Sequence, residues 1–266
     1  MRTNHEIDYK IYGEELQFVE IELDPQETAI AESGAFMMMD DGIAMQTIFG
    51  DGSQQQQQTG LLGKLMNAGK RLLVGESLFM TAFTNVGQGK KKVSFASPYT
   101  GKIIVFDLKQ LGGKIIAQKD AFLCAAKGVS IGIEFQKRLG TGIFGGEGFI
   151  MEKLEGDGLA FAHAGGYIVE RELMPGEILK VDTGCVVAYT PGIDFDVEMV
   201  KGIKNWMFGG EGLFFAVLRG PGKVWLQSLP ISRLAGRIIR YAPQLGGRKE
   251  EGSLLGGLGN LLDGRE

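Results

Sequence analysis

Three glutamates in matching surroundings are the side chains best placed to do chemistry in this sequence. They are Glu76 in Gly75-Glu76-Ser77, Glu147 in Gly146-Glu147-Gly148 and Glu211 in Gly210-Glu211-Gly212. Glycine neighbours let the backbone bend closely around a carboxylate, which can then accept backbone N–H bonds. The simpler use of such a set is a structural clasp at each site. The sharper use is a ring of carboxylates that binds a cation or a partner. Acid–base work by paired carboxylates would need two of them within about 10 Å in a cleft, and nothing in the sequence sets that distance.

Other chemical signals are weaker. Gly140-Thr141-Gly142-Ile143-Phe144-Gly145 fits G-x-G-x-x-G. A dinucleotide loop needs a strand before it and a helix N-terminus after it, whereas these glycines precede a strand beginning near Phe149. His163 has no second histidine at i+2 or i+4, and His5 is the only other one. A metal site of the cupin kind needs a histidine cluster with a carboxylate, so His163 is expected to be hydrogen-bonded at a strand end. No nucleophile elbow and no phosphate-loop lysine motif occurs. No residue is assigned as catalytic, cofactor-binding or metal-binding. The chain is expected to be no enzyme and to need no cofactor. Lys90-Lys91-Lys92 falls in a predicted turn and reads as a solvated run, with RNA contact as the alternative.

The elements that position these residues follow from composition and pattern. The chain has 266 residues, a net charge of −4 from 28 basic and 32 acidic residues, 42 glycines and 7 prolines. At that length about three quarters of the unfolded surface is buried, so no disulfide or metal staple is needed. Abundant glycine without a collagen period fits many tight turns between short strands. A mildly acidic chain does not attract phosphate backbones over its whole surface. Cys124 and Cys185 lie far apart in apolar surroundings, and are expected to be buried thiols in a reducing compartment. The N-terminus carries no apolar signal core, and no apolar run approaches the ~18 residues of a membrane span. The expectation is a soluble, cytoplasmic protein.

The sequence repeats itself. Displaced by 64 residues, the segment from Ala121 lies on the segment from Cys185 without a gap for about 44 positions. Gly128 then falls on Gly192, Glu134 on Glu198, and Phe144-Gly145-Gly146-Glu147-Gly148 on Phe208-Gly209-Gly210-Glu211-Gly212. A degenerate earlier copy puts Gly75-Glu76-Ser77 on Gly146-Glu147-Gly148 and Val93-Ser94-Phe95-Ala96 on Leu159-Ala160-Phe161-Ala162. Ser33-Gly34 can be laid on Lys127-Gly128. An insertion with a glutamine run at 54–58 interrupts this copy.

Each copy reads as β. Side chains on a strand point alternately to opposite faces, so strict alternation marks a half-buried strand. Val19, Ile21 and Leu23 alternate in this way, as do Val129, Ile131, Ile133 and Phe135, and Ile193, Phe195, Val197 and Met199. Ile103-Ile104-Val105-Phe106 and Cys185-Val186-Val187-Ala188-Tyr189 are apolar on both faces, as covered strands are. Glu155-Gly156-Asp157-Gly158 and Arg219-Gly220-Pro221-Gly222 supply tight reversals. Roughly fifteen strands are expected. Helical spacing is confined to residues 61–73 and to Ser232 through Tyr241. The predicted organisation is one β domain over 1–232 with repeats at about 9–108, 109–175 and 176–232. A helix over 233–244 and a flexible tail over 245–266 follow it.

With the repeats laid out, the chain resembles the bacterial and archaeal proteins related to the altered-inheritance-of-mitochondria family. The resemblance runs from about Tyr9 to about Ser232. It is carried by Ala31-Glu32-Ser33-Gly34-Ala35, Gly75-Glu76-Ser77 and the two Phe-Gly-Gly-Glu-Gly blocks. It implies an all-β fold of three tandem repeats, of the β-sandwich or double-stranded β-helix kind seen in the trp RNA-binding attenuation protein. It also implies a ring-like homotrimer. It brings no enzyme activity. The expected role is a non-enzymatic homotrimeric scaffold or binding protein. The alternatives are an RNA-binding ring or a membrane-associated organiser that uses residues 61–73.

Overall fold

The computed structural model describes residues 3–32, 34–49, 79–97, 99–137, 148–199 and 214–241. In chain order the strands are β1 (Asp8–Tyr12), β2 (Phe18–Leu23), β3 (Thr28–Glu32), β4 (Phe36–Met39), β5 (Ile43–Phe49), β6 (Phe79–Asn85) and β7 (Lys91–Ala96). Then come β8 (Gly101–Asp107), β9 (Lys114–Gln118), β10 (Phe122–Ala126), β11 (Ser130–Lys137), β12 (Phe149–Glu155) and β13 (Leu159–Gly165). The last six are β14 (Ile168–Leu173), β15 (Ile178–Asp182), β16 (Val186–Tyr189), β17 (Asp194–Met199), β18 (Phe214–Arg219) and β19 (Gly222–Gln227). The fold is therefore all-β, with more strands among the described residues than the roughly fifteen expected. The helix α1 (Ile231–Tyr241) meets the helical spacing seen from Ser232, and its Ile238 and Tyr241 are exposed.

The strands form four sheets, in the orders β1-β2-β7-β4, β5-β6-β3-β10-β13-β8, β11-β12-β9-β16-β19-β14 and β15-β18-β17. Named neighbours pair antiparallel throughout. The orders recur at a step of six strands. The run β2-β7-β4 returns as β8-β13-β10 and as β14-β19-β16, and β5-β6-β3 returns as β11-β12-β9 and as β17-β18-β15. Each six-stranded sheet thus joins a run of one kind to a run of the other, through β3–β10 and β9–β16.

Three apolar clusters lie between successive sheets. Val19, Ile21, Leu23, Phe83, Val93, Phe95 and Phe161 make the first, from the first two sheets. Phe106, Ile115, Ala160, Ala162, Leu154 and Trp225 belong to the second, and Phe149, Met151, Val186, Ala216 and Leu218 to the third. The alternation in β2 is realised, with Val19, Ile21 and Leu23 fully buried. A sheet flanked by two clusters buries both of its faces, which is why β10 and β16 are apolar at every position and wholly buried. Each buried Leu, Ile or Phe contributes about 1.5–3 kcal/mol.

The turn at Gly156 and Gly158 falls where the sequence placed it and is held by Asn4. The Asn4 side-chain oxygen accepts from the Asp157 and Gly158 N–H groups at 2.7 and 2.9 Å, and Asp157 accepts from the Asn4 N–H at 2.8 Å. Gly156 has a φ of +147°, and a Cβ there would fall on the Asn4 amide, so this position requires glycine.

Some expectations need correcting. Gly34 opens β4, whereas Gly128 opens β11, one strand further on in the recurring order. Gly42, before β5, stands where Gly128 does, and both have positive φ, at +92° and +103°. Cys124 is buried as expected, but Cys185 is only half-buried, with the Arg233 guanidinium 3.7 Å from its sulfur. Met199 ends its alternating strand exposed rather than covered.

Candidate functional site

Glu76, Glu147 and Glu211, the glycine pattern at 140–145, residues 61–73, the glutamine run at 54–58 and the tail over 245–266 lie outside the described residues. The three glutamates do share a topological place. Each precedes the second strand of a hairpin: β5–β6, β11–β12 or β17–β18.

His163 departs from expectation. It sits in the body of β13, opposite Ile103, and not at a strand end. It is 3% exposed, and neither ring nitrogen has a hydrogen-bond partner of good geometry. The Tyr99 ring meets it edge-on with centroids 4.5 Å apart. Burial lowers its pKa to about 4, with the Tyr99 backbone opposing slightly, so the imidazole is neutral at physiological pH.

Glu152 was not singled out in the sequence. It lies on β12 opposite Ala117 and Ile133, facing the second cluster, and is 1% exposed with both carboxyl oxygens unpartnered. Burial, then the Glu32 charge, raises its pKa to about 8, with Lys119 pulling down and Asp120 up. Its sequence setting, Met151-Glu152-Lys153, reads as an ordinary strand edge and carries no signal of burial. Among the described residues no group of three or more His, Cys, Asp or Glu side chains could hold a metal.

Lys91 and Lys92 open β7 rather than lying in a turn, and two of the three lysines are paired. Lys90 donates to Glu22 at 2.7 Å and to Asp8 at 3.2 Å, and Lys92 donates to Glu20 at 2.8 Å. An open groove lined by Glu6, Asp8, Tyr9, Asp107 and Gln110 runs beside the first cluster.

The feature with most capacity for recognition is a pair of sheet edges. At one internal junction β10 pairs with β3, Cys124 opposite Ala31 and Ala125 opposite Ile30. At the other, β16 pairs with β9, Ala188 opposite Ala117 and Tyr189 opposite Ile116. In the recurring order β4 matches β10 and β16, yet among the described residues it ends its sheet with one side unpaired. All three carry an irregularity at one place against the next strand, between Phe36 and Met38, Phe122 and Cys124, and Val186 and Ala188. Conversely β15 matches β3 and β9, and among the described residues it also ends its sheet. An unpaired edge offers a row of N–H and C=O groups to another strand.

Burial agrees with this difference. Residues of β10 and β16 are all buried, whereas Phe36, Met37, Met38 and Met39 are 39–48% exposed. Phe36 and Met39 lie opposite Phe95 and Val93, and Met45 lies opposite Phe83, so three exposed apolar side chains border the first cluster. The second and third clusters receive Met80 and Met151 from the sheet behind. Phe215, in the matching place on β18 opposite Asp182, is only half-buried.

Comparison with known proteins gives a consistent picture. The family model described as mitochondrial biogenesis AIM24 matches residues 9–229. An uncharacterised protein of Streptococcus pyogenes serotype M6 is 29% identical over 229 residues, covering 85% of this chain and 86% of the relative. A crystal structure of a Streptococcus pyogenes protein superposes with a TM-score of 0.67 at 22% identity, over 88% of this chain and 99% of the other. No helix among the described residues is long and apolar enough to cross a membrane.

Proposed function

Because the chain belongs to the mitochondrial biogenesis AIM24 family, and its matched relative is itself uncharacterised, we propose a role resting on assembly. The protein is a non-enzymatic scaffold or binding protein that works as a homotrimeric ring. The observation that carries this reading is the complementarity of its two open edges. Among the described residues β4 is the strand of its kind without a partner like β3 or β9, and β15 is the strand of the other kind with that side free. Read as three tandem units, one copy offers β15 where the next offers β4. Such a contact joins unlike surfaces, so it repeats head to tail and closes when the rotation allows. Closure at three copies follows the family resemblance.

The internal junctions supply the register. Ala31 and Ala117 face Cys124 and Ala188, so Val181 of a second copy faces Met38, and Lys180 faces Met39. Phe215 of that copy then covers Phe36, Met39 and Met45, as Met80 and Met151 cover the other clusters. An RNA-binding ring is less favoured, because Lys90 and Lys92 are already paired with carboxylates.

Light scattering tests the assembly, with a mass near three times the 28.8 kDa chain expected. The register is tested by Met38→Cys with Val181→Cys, which brings two Cβ atoms within the ~4.5–5.5 Å of directly opposed residues. Oxidation should link this variant into a covalent ladder ending at three chains. A monomer at micromolar concentration rejects the ring, and cross-linking by either single cysteine variant as efficient as by the pair rejects the register.

A further inference from the structure

We infer that Met37, Met38 and Met39 are an oxidation site that controls whether β4 accepts a neighbouring strand. The inference rests on the assembly reading above and adds its regulation. Three consecutive methionines occupy the open edge, each 39–48% exposed, and the exposed Met45 lies opposite Phe83, the ring on which Phe36 stacks from the facing sheet. The strand position itself does not demand methionine. The matching strands read Phe122-Leu123-Cys124-Ala125-Ala126 and Val186-Val187-Ala188-Tyr189, and bury their side chains beside a paired neighbour. Consecutive strand residues point to opposite faces, so the three thioethers flank both sides of the edge that an incoming strand must meet.

The chemistry is a two-electron oxygen transfer. A thioether sulfur attacks hydrogen peroxide, the O–O bond breaks, an S=O bond forms, and the peroxide leaves as water after proton transfer. The flexible apolar side chain becomes a polar sulfoxide, which disrupts methionine-rich interfaces. Methionine also makes favourable sulfur–aromatic contacts, which Met39 and Met45 are placed to make with an incoming Phe215. A buried sulfoxide oxygen needs a hydrogen-bond donor, and the backbone N–H groups of the edge are committed to the incoming strand. Oxidised chains therefore fail to join, and enzymatic reduction of the sulfoxides restores joining.

The test uses full-length protein, diluted so that chains exchange, treated with hydrogen peroxide, and followed by analytical ultracentrifugation and peptide mass spectrometry. The expected result is oxygen on Met37, Met38 and Met39 together with at least a tenfold loss of the trimer fraction. Methionine sulfoxide reductases should reverse the loss. The Met37→Leu, Met38→Leu, Met39→Leu variant should stay trimeric through the same treatment. Wild-type chains oxidised at all three positions yet still trimeric overturn this inference and leave the ring intact. Equal peroxide sensitivity of the leucine variant also overturns it. An untreated wild type that never assembles overturns the ring and this inference together. Were the leucine variant unable to fold, reversal by the reductases decides the question on wild-type protein.

Discussion

Phe36 stacks on Phe83 with ring centroids 5.5 Å apart and planes 16° from parallel, and the two rings have opposite surroundings. Phe83 is buried in the first cluster, where it also meets Phe95 edge-on at 5.1 Å. Phe36 is 41% exposed. Phe83→Ala should therefore destabilise the protomer by about 3–5 kcal/mol, the usual loss for a buried phenylalanine. Phe36→Ser should change protomer stability by less than about 1 kcal/mol while abolishing trimer formation. Urea denaturation paired with light scattering separates the two effects, and a trimeric Phe36→Ser variant would contradict the edge assignment.

Glu152 makes stability fall as pH rises from about 4.5 to about 8. Its folded pKa of about 8 lies above the ordinary 4.5, so the folded protein holds a proton that the unfolded chain releases. The contribution is complete below pH 4.5 and is lost as pH rises through 8, with an upper bound of about 5 kcal/mol. Above pH 8 the slope from this group ends. Glu152→Gln, which cannot ionise, should flatten the fall between pH 5 and 8. Thermal unfolding across that range checks it, and parallel wild-type and variant curves would mean that the carboxyl is ionised and solvated when folded.

His163 works from the acid side. Its folded pKa of about 4 lies below the ordinary 6.5, so the unfolded chain takes up a proton that the folded protein refuses. Stability from the neutral ring is complete above pH 6.5 and is lost as pH falls through 4. Replacing His163 by Gln should remove this slope, because glutamine does not titrate. NMR titration of the imidazole gives the direct reading, and a midpoint near 6.5 would place the ring in solvent.

Much of the fold could be read from the residues, because the physics that sets it is local. Alternation at Val19, Ile21 and Leu23, the doubly apolar run Val186-Val187-Ala188-Tyr189, and the turn at Gly156 and Gly158 each state their structure within a few positions. The register of the weakest copy was harder. Ser33-Gly34 and Gly42 are both glycine turns before short strands, and only the strand order distinguishes them. The open edges were illegible for a deeper reason. Phe36-Met37-Met38-Met39 is as apolar as its buried counterparts, so composition cannot tell a covered strand from an exposed one. Glu152 was missed because its burial depends on which strands stack across it, through partners such as Ala117 and Ile133 that are distant in sequence.

The junction between β3 and β10 has a consequence for how the protein is made. Ala125 is opposite Ile30, so about ninety-five residues must leave the ribosome between one partner and the other. At the usual ~5–20 residues per second of synthesis, β3 waits on the order of 5–20 s with an apolar edge unsatisfied. Among the described residues of the finished chain β4 remains in the same condition, which the proposed ring would relieve only when a second copy arrives. Translation and assembly thus present one hazard on two timescales, and crowding of nascent chains on a shared message would shorten the second.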